Sequence, residues 1–150
     1  MSIKEQLKTD LNTAIKSRNS VVAETIRMVL TAITNEEVAG KEKKELSDAE
    51  IITVLTREAK KRREAAEAFE AGGRADRAAS ERAEGEVIAG YLPEQLSEDD
   101  VKKLIAETIA AVGATGPADM GKVMGGLKAK VAGKADGALV SSLVKEALNK

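Results

Sequence analysis

Three features of the 150-residue sequence predict an all-α protein. Apolar residues recur at three- and four-residue intervals rather than in alternation, which places them in stripes along helices instead of on one face of a strand. The apolar content is Ala, Val, Leu and Ile, with Phe69 and Tyr91 the only aromatics, so burial must come from small side chains closely packed, helix against helix. Two stretches, Ser47-Asp-Ala-Glu50 and Ser97-Glu-Asp-Asp100, are capping boxes: serine and acid satisfy each other's backbone donors at a helix start. With no convincing strand and no repeat of fixed period, the expected architecture is a four-helix N-terminal region over residues 1–92, a proline-containing hinge, and a three-helix module over residues 93–150.

The elements follow in order. Ile3, Leu7, Leu11 and Ile15 recur every four residues after a cap at Ser2, giving a first helix that ends near Arg18-Asn19. Val22, Ile26, Val29, Leu30 and Ile33 form a second stripe, stopped by Gly40 and a charged loop, and the two helices are expected to pair as a hairpin. The box at Ser47 opens a long third helix through Ile51, Leu55 and Phe69 to Gly72-Gly73, and an alanine-rich fourth runs from about Ala75 to Ala89. Pro93 is expected to stop it, because Leu92 before a proline is pushed out of helical geometry. Tyr91-Leu-Pro-Glu-Gln-Leu96 therefore marks the boundary. Beyond it Val101 to Val112, Met120 to Val131, and Leu139 to Leu148 give three further helices separated by glycines or proline.

Composition removes much chemistry. Cysteine and histidine are absent, which excludes disulfides, thiolate nucleophiles, the usual zinc ligands and the commonest general base at neutral pH, so neither a catalytic residue nor a metal ligand nor a cofactor is expected. The start, Met-Ser-Ile-Lys-Glu-Gln-Leu-Lys, is charged where a signal peptide needs an apolar run, and no stretch approaches the roughly 20 apolar residues of a membrane span. A cytoplasmic protein is expected. Formal net charge is −1, but it is unevenly spread: from Gly116 to Lys150 six lysines (122, 128, 130, 134, 145 and 150) face only Asp119, Asp136 and Glu146. A locally positive surface of this kind suits a polyanion.

Several motifs resolve to ordinary structure. Gly116-Pro-Ala-Asp-Met-Gly121-Lys122-Val123 matches the phosphate-binding loop except at its last position, where valine replaces the hydroxyl that holds magnesium; a helix rather than a strand precedes it. Lys60-Lys-Arg-Arg63 is basic, but four consecutive helical residues spread around the circumference, and Lys60 with Glu64 and Arg63 with Glu67 pair four apart. Arg77 with Glu81 and Arg82 with Glu86 repeat that spacing, while Arg27 lies beside an apolar stripe, where it is expected to be partly buried or to face the hinge. Glu98, Asp99 and Asp100 answer a helix dipole behind a capping serine, and Ser141-Ser142 has no histidine to activate it.

Read as a pattern, Asp119-Met-Gly-Lys-Val-Met124, Gly133-Lys-Ala-Asp-Gly137 and Val140-Ser-Ser-Leu-Val-Lys-Glu-Ala-Leu148 resemble the GatB/YqeY family. Arg57-Glu-Ala-Lys-Lys-Arg-Arg-Glu-Ala-Ala, Gly73-Arg and Tyr91-Leu-Pro-Glu-Gln-Leu extend the resemblance to the family's free-standing members across essentially the whole chain. In the family the C-terminal module looks like the tail domain of the B subunit of the glutamine-dependent aspartyl/glutamyl-tRNA amidotransferase, which contacts tRNA; a related module is appended to some glutaminyl-tRNA synthetases. The resemblance thus implies an association with carbon–nitrogen ligation using glutamine as nitrogen donor. The residues needed for that chemistry, a serine–lysine amidase signature or an intact nucleotide loop, are absent, so independent catalysis is not expected.

The expectation is a tRNA-associated adaptor. Lys122, Lys128, Lys130 and Lys134 would contact phosphates, and Gly121, Gly133 and Gly137 would permit close backbone approach. Two aromatics in the whole chain favour reading of shape over base stacking. Two alternatives stand beside it: a module that binds an amidotransferase subunit or an aminoacyl-tRNA synthetase without touching RNA, and a carbon–nitrogen ligase active only with partners.

Overall fold

A computed structural model describes residues 1–149. The helices are α1 (Ile3–Lys16), α2 (Ser20–Glu37), α3 (Asp48–Ala71), α4 (Ala75–Ala89), α5 (Glu98–Val112), α6 (Met120–Val131) and α7 (Gly137–Leu148), with a 3-10 turn at Pro117–Asp119 leading into α6. No strand occurs among the described residues. The chain divides into two compact units, Met1–Leu92 and Pro93–Lys150.

In the first unit α1 and α2 form the expected hairpin, but its turn rests on an arginine. Arg18 adopts φ 56°, the left-handed position that glycine usually fills after a helix. The turn holds because Arg18 N–H donates to the Ile15 carbonyl at 3.2 Å and Asn19 N–H to that of Ala14 at 2.9 Å. Asn19 then caps α2 by accepting from Val22 N–H. The stripe of α1 also turns out differently: Leu7 is fully buried and Ala14 nearly so, whereas Ile15 is 47% exposed. Each four-residue step overshoots a helical turn by about 40°, so Ile15 has rotated away from Ile3 by about 120° and Ala14 takes its place.

Leu7, Ile26, Val29, Ile33, Leu46, Ile51, Val54, Leu55 and Ile88 make the core of this unit. Only the first half of α3 and the end of α4 contribute to it. Farther along, α3 and α4 meet through the buried alanines Ala66 and Ala78, and at Gly85 an added Cβ would lie 3.7 Å from that of Arg62. Small residues bring these helices close, and ion pairs then cross between them. Arg62 reaches Glu81 at 3.2 Å and Glu84 at 3.4 Å, and Arg82 pairs with Glu70. Glu81 and Arg82 thus bond across the hairpin to α3, a pairing that their four-residue spacing along α4 does not suggest. Lys60–Glu64 does form along its helix, at 4.0 Å. Arg27 is exposed rather than half-buried.

Helix α4 ends before Pro93 can act. Gly90 is its cap, and Tyr91 and Leu92 N–H groups donate to Ile88 and Ala89, the tightened bonding of a closing turn. The Tyr91 hydroxyl donates to the Asp10 carboxylate, tying the end of the unit to α1. Glu37, 4% exposed, binds Lys4 Nζ at 2.9 Å and Leu46 N–H at 3.2 Å, so one carboxylate joins α1, α2 and the loop into α3.

The second unit closes around Val101, Ile105, Val123, Leu127, Val131, Val140, Leu143, Val144 and Leu148. All three capping boxes of the molecule, at Ser2, Ser47 and Ser97, are formed, and the last starts α5. Helix α5 ends at Gly113 in the left-handed region, φ 68°. Helix α6 crosses α5 so closely that a Cβ on Gly126 would stand 2.8 Å from Thr108 Cγ2.

Candidate nucleic-acid interface

The basic surface is built on α6. Val123, Leu127 and Val131 are buried at four-residue spacing, which fixes the rotation of the helix about its axis. The face opposite that stripe consists of Gly121, Lys122, Gly125 and Ala129, all exposed. By helical geometry Lys130 lies about 80° from Lys122 on one side and Lys128 about 120° on the other. Lys122 and Lys128 thus flank a strip of backbone that carries almost no side chain, while Lys130 lies beyond Gly126, on the side of the helix that meets α5. Nothing stands within 4 Å of where a Cβ would be on Gly121 or Gly125. Glycine in a helix interior costs about 0.5–1 kcal/mol relative to alanine, and here no packing contact inside the unit recovers it.

The four predicted lysines are not together. Lys122 is at the start of α6, and Lys130 is about 12 Å farther along the axis. Lys134 is half-buried in the α6–α7 loop, whose Gly133 takes φ 70°, and the backbone carbonyl of Lys134 accepts a 2.8 Å bond from Leu96 N–H. Because Leu96 is followed by Ser97 and the acids Glu98, Asp99 and Asp100, this end of the basic region lies beside the acidic first turn of α5. Gly137 is the first residue of α7, open to solvent and capped by Asp136, which accepts from Ala138 N–H at 3.3 Å. Lys128 and Lys130 make no ion pair among the described residues; Lys122 lies 3.9 Å from Asp119.

The near phosphate loop has another occupation. Val123 is fully buried in the core, so its position has no access to a nucleotide. Asp119 accepts from Thr115 N–H at 2.9 Å, and that bond, with Lys122 nearby, holds its carboxyl below the usual carboxylate range. The carboxylate of Asp119 thus bonds within the stretch itself, to Thr115. From extended backbone at Gly116 the chain passes through a 3-10 turn that begins at Pro117 and leads into α6.

Two features escaped the sequence reading. Gly125 belongs to the open face with Gly121, a relation their four-residue spacing could have shown. Gln95 and Leu96, taken only as part of a boundary, bond to Gly133 and Lys134; no local pattern signals a contact across 38 residues. A groove of about 390 Å³ lies between α5 and α7, lined by Lys102, Ile105, Ile109, Leu143, Glu146 and Ala147 among others. Among the described residues no three of His, Cys, Asp and Glu gather to hold a metal ion, and no helix is long and apolar enough to cross a membrane.

These features define a class: an all-helical chain of two compact units, the second presenting a lysine-edged helix face of bare backbone. The pattern of the YqeY-like proteins matches residues 4–148, and the chain belongs to that family. No curated protein matches it significantly.

Proposed function

We propose that this YqeY-like protein is a tRNA-associated accessory factor whose C-terminal unit docks on folded tRNA. The observation that carries the reading is the face of α6, where Lys122 and Lys128 edge the exposed backbone of Gly121 and Gly125 and Lys130 adds a further exposed charge near the end of the helix. A phosphate chain can approach such a strip closely, with ammonium groups on either side as point charges and backbone edges available to 2′-hydroxyls. The resemblance of the tail to the tRNA-contacting domain of the amidotransferase B subunit supports the same partner. Lys134, Gly133 and Gly137 add a second contact at the far end of α6, weakened by the acids that open α5. Any amide-transfer chemistry then belongs to the amidotransferase subunits or synthetase with which the factor works.

Titration of total tRNA against the full chain at several salt concentrations tests this. Alanine at Lys128 or Lys130 is expected to weaken binding uniformly across tRNA species and to reduce the salt slope by about one. No binding at low salt, or binding unchanged when all four lysines are replaced, would sink it. A second reading, docking of a partner protein without RNA, is favoured by the groove between α5 and α7, whose floor of Ile105, Ile109 and Leu143 is edged by Lys102 and Glu146. Association with an amidotransferase subunit or synthetase that survives nuclease and is lost on Ile109→Asp would favour it.

A further inference from the structure

The α6–α7 loop is held from outside itself. Within the loop, Lys134 and Ala135 N–H groups both donate to the Val131 carbonyl, at 2.9 and 3.2 Å, which leaves the carbonyls of Gly133 and Lys134 pointing away from the helix they follow. Both are taken up by the segment after Pro93. Leu96 N–H donates to the Lys134 carbonyl at 2.8 Å. The Gln95 side-chain amide donates to the Gly133 carbonyl at 2.8 Å and, from the same nitrogen, to the carbonyl of Pro93 at 2.7 Å. Leu96 also packs on the core of the unit, so its position is fixed by burial. Gln95 is exposed, and surface glutamines ordinarily gain little from an ordered conformation. Here one amide uses both hydrogens to join two stretches of chain.

We propose that Gln95 is a positioning residue for the nucleic-acid contact: it braces Gly133 so that the left-handed turn, and Lys134 after it, are presented in one geometry. The inference rests on the tRNA reading. The glycine at 133 allows the turn but does not enforce it, because a residue without a Cβ has the widest choice of backbone angles. A donor from outside is what narrows that choice, and an ordered loop loses less entropy when it meets its ligand. Gln95 itself carries no charge and neutralises no phosphate.

That difference separates a brace from a contact. With total tRNA as the probe and the full chain as the protein, Gln95→Ala is expected to weaken binding about three- to tenfold, the range one or two ordinary hydrogen bonds span, with the salt slope unchanged. Gln95→Glu preserves the shape but can donate neither bond and is expected to lose at least as much. Lys134→Ala is expected to lower the slope by about one, and because Gln95 acts through the same loop, the losses of the double variant should fall short of the product of the single ones. Faster amide exchange at Lys134 and Ala135 in Gln95→Ala, with Ile105 and Leu127 unchanged, would locate the effect in the loop. Wild-type affinity in both Gln95 variants, or losses that multiply fully with Lys134→Ala, would overturn the brace while leaving tRNA binding in place. A wild-type chain that binds no tRNA at low salt would remove the parent reading and this one with it.

Discussion

In Met1–Leu92 polar side chains are turned on the protein itself: Lys4 and Glu37, Arg62 and Glu81, Arg82 and Glu70, Tyr91 and Asp10 each join one element to another. In Pro93–Lys150 the pairs Lys102–Glu98 and Lys122–Asp119 each span a single helical turn, and the unit closes on valines and leucines with a glycine at its tightest crossing. The first unit uses several of its charges in bonds between elements, whereas in the second Lys128 and Lys130 face solvent. Charge that holds a fold cannot also be offered to a partner, and this is the physical reason to look for the function on α6 rather than on the basic run Lys60–Arg63.

The largest expected effects come from opening each core separately. Leu55→Ala and Leu127→Ala remove fully buried side chains, one per unit, and each is expected to cost about 2–5 kcal/mol. Hydrogen exchange read residue by residue should show protection lost in α1–α4 for the first and in α5–α7 for the second. If either variant loosens both units equally, the two cores are not separate.

Next are the adjacent glycines of α6, which should respond in opposite directions. Gly126→Ala drives a methyl to 2.8 Å from Thr108, whose side chain is fixed by its 2.7 Å bond to the Leu104 carbonyl, so overpacking of about 1–3 kcal/mol is expected to outweigh the gain in helix propensity. Gly125→Ala meets nothing and is expected to stabilise the unit by about 0.5–1 kcal/mol. Thermal unfolding of the pair decides. Should Gly125→Ala also weaken tRNA binding while raising stability, the bare backbone of that face is there for the partner.

Acid separates the units by a different route. Glu37 is held below its usual value by the bond from Lys4 and then by that from Leu46 N–H, and Glu5, Glu50 and Asp76 are lowered as well, all in the first unit; Asp119 is lowered in the second. These groups bind fewer protons folded than unfolded. Their stabilisation is therefore complete above the unfolded value, 4.5 for glutamate, and drains away as pH falls through the lower folded values. Below that pH the first unit is expected to lose stability more steeply than the second. Glu37→Gln should lower stability at neutral pH and flatten the acid slope, which denaturant midpoints across pH 3–7 would show. The smallest effect belongs to Glu64→Ala, where an exposed carboxylate 4.0 Å from Lys60 is worth a few tenths of a kcal/mol to thermal stability.

Much of the helical framework was legible because its signals are local. Ser2, Ser47 and Ser97 cap the helices they were expected to cap, and α4 and α6 run over the residues their periodicity and flanking glycines indicate. Four-residue arithmetic failed at Ile15, where the helical period of 3.6 accumulates, and at Glu81 and Arg82, which bond across a hairpin that alanines bring close. The site was read as a set of lysines with helpful glycines. Its arrangement, with Lys122 and Lys134 at opposite ends of α6, Gly125 on the open face and Gly126 against Thr108, depends on which stripe the core takes.

By itself the sequence determined that this chain is helical, where its helices start, that it carries no thiol or imidazole chemistry, and that the stretch from Gly116 onward is net positive while the rest is net negative. Tertiary structure alone decided which charges face each other and which face outward, which of two neighbouring glycines is packed and which is open, and that Gln95 reaches the loop at Gly133. The division has a physical cause. Capping and periodicity act within one or two helical turns of chain, whereas the rotation of a helix against its neighbours and a bond across 38 residues exist only after the core has closed.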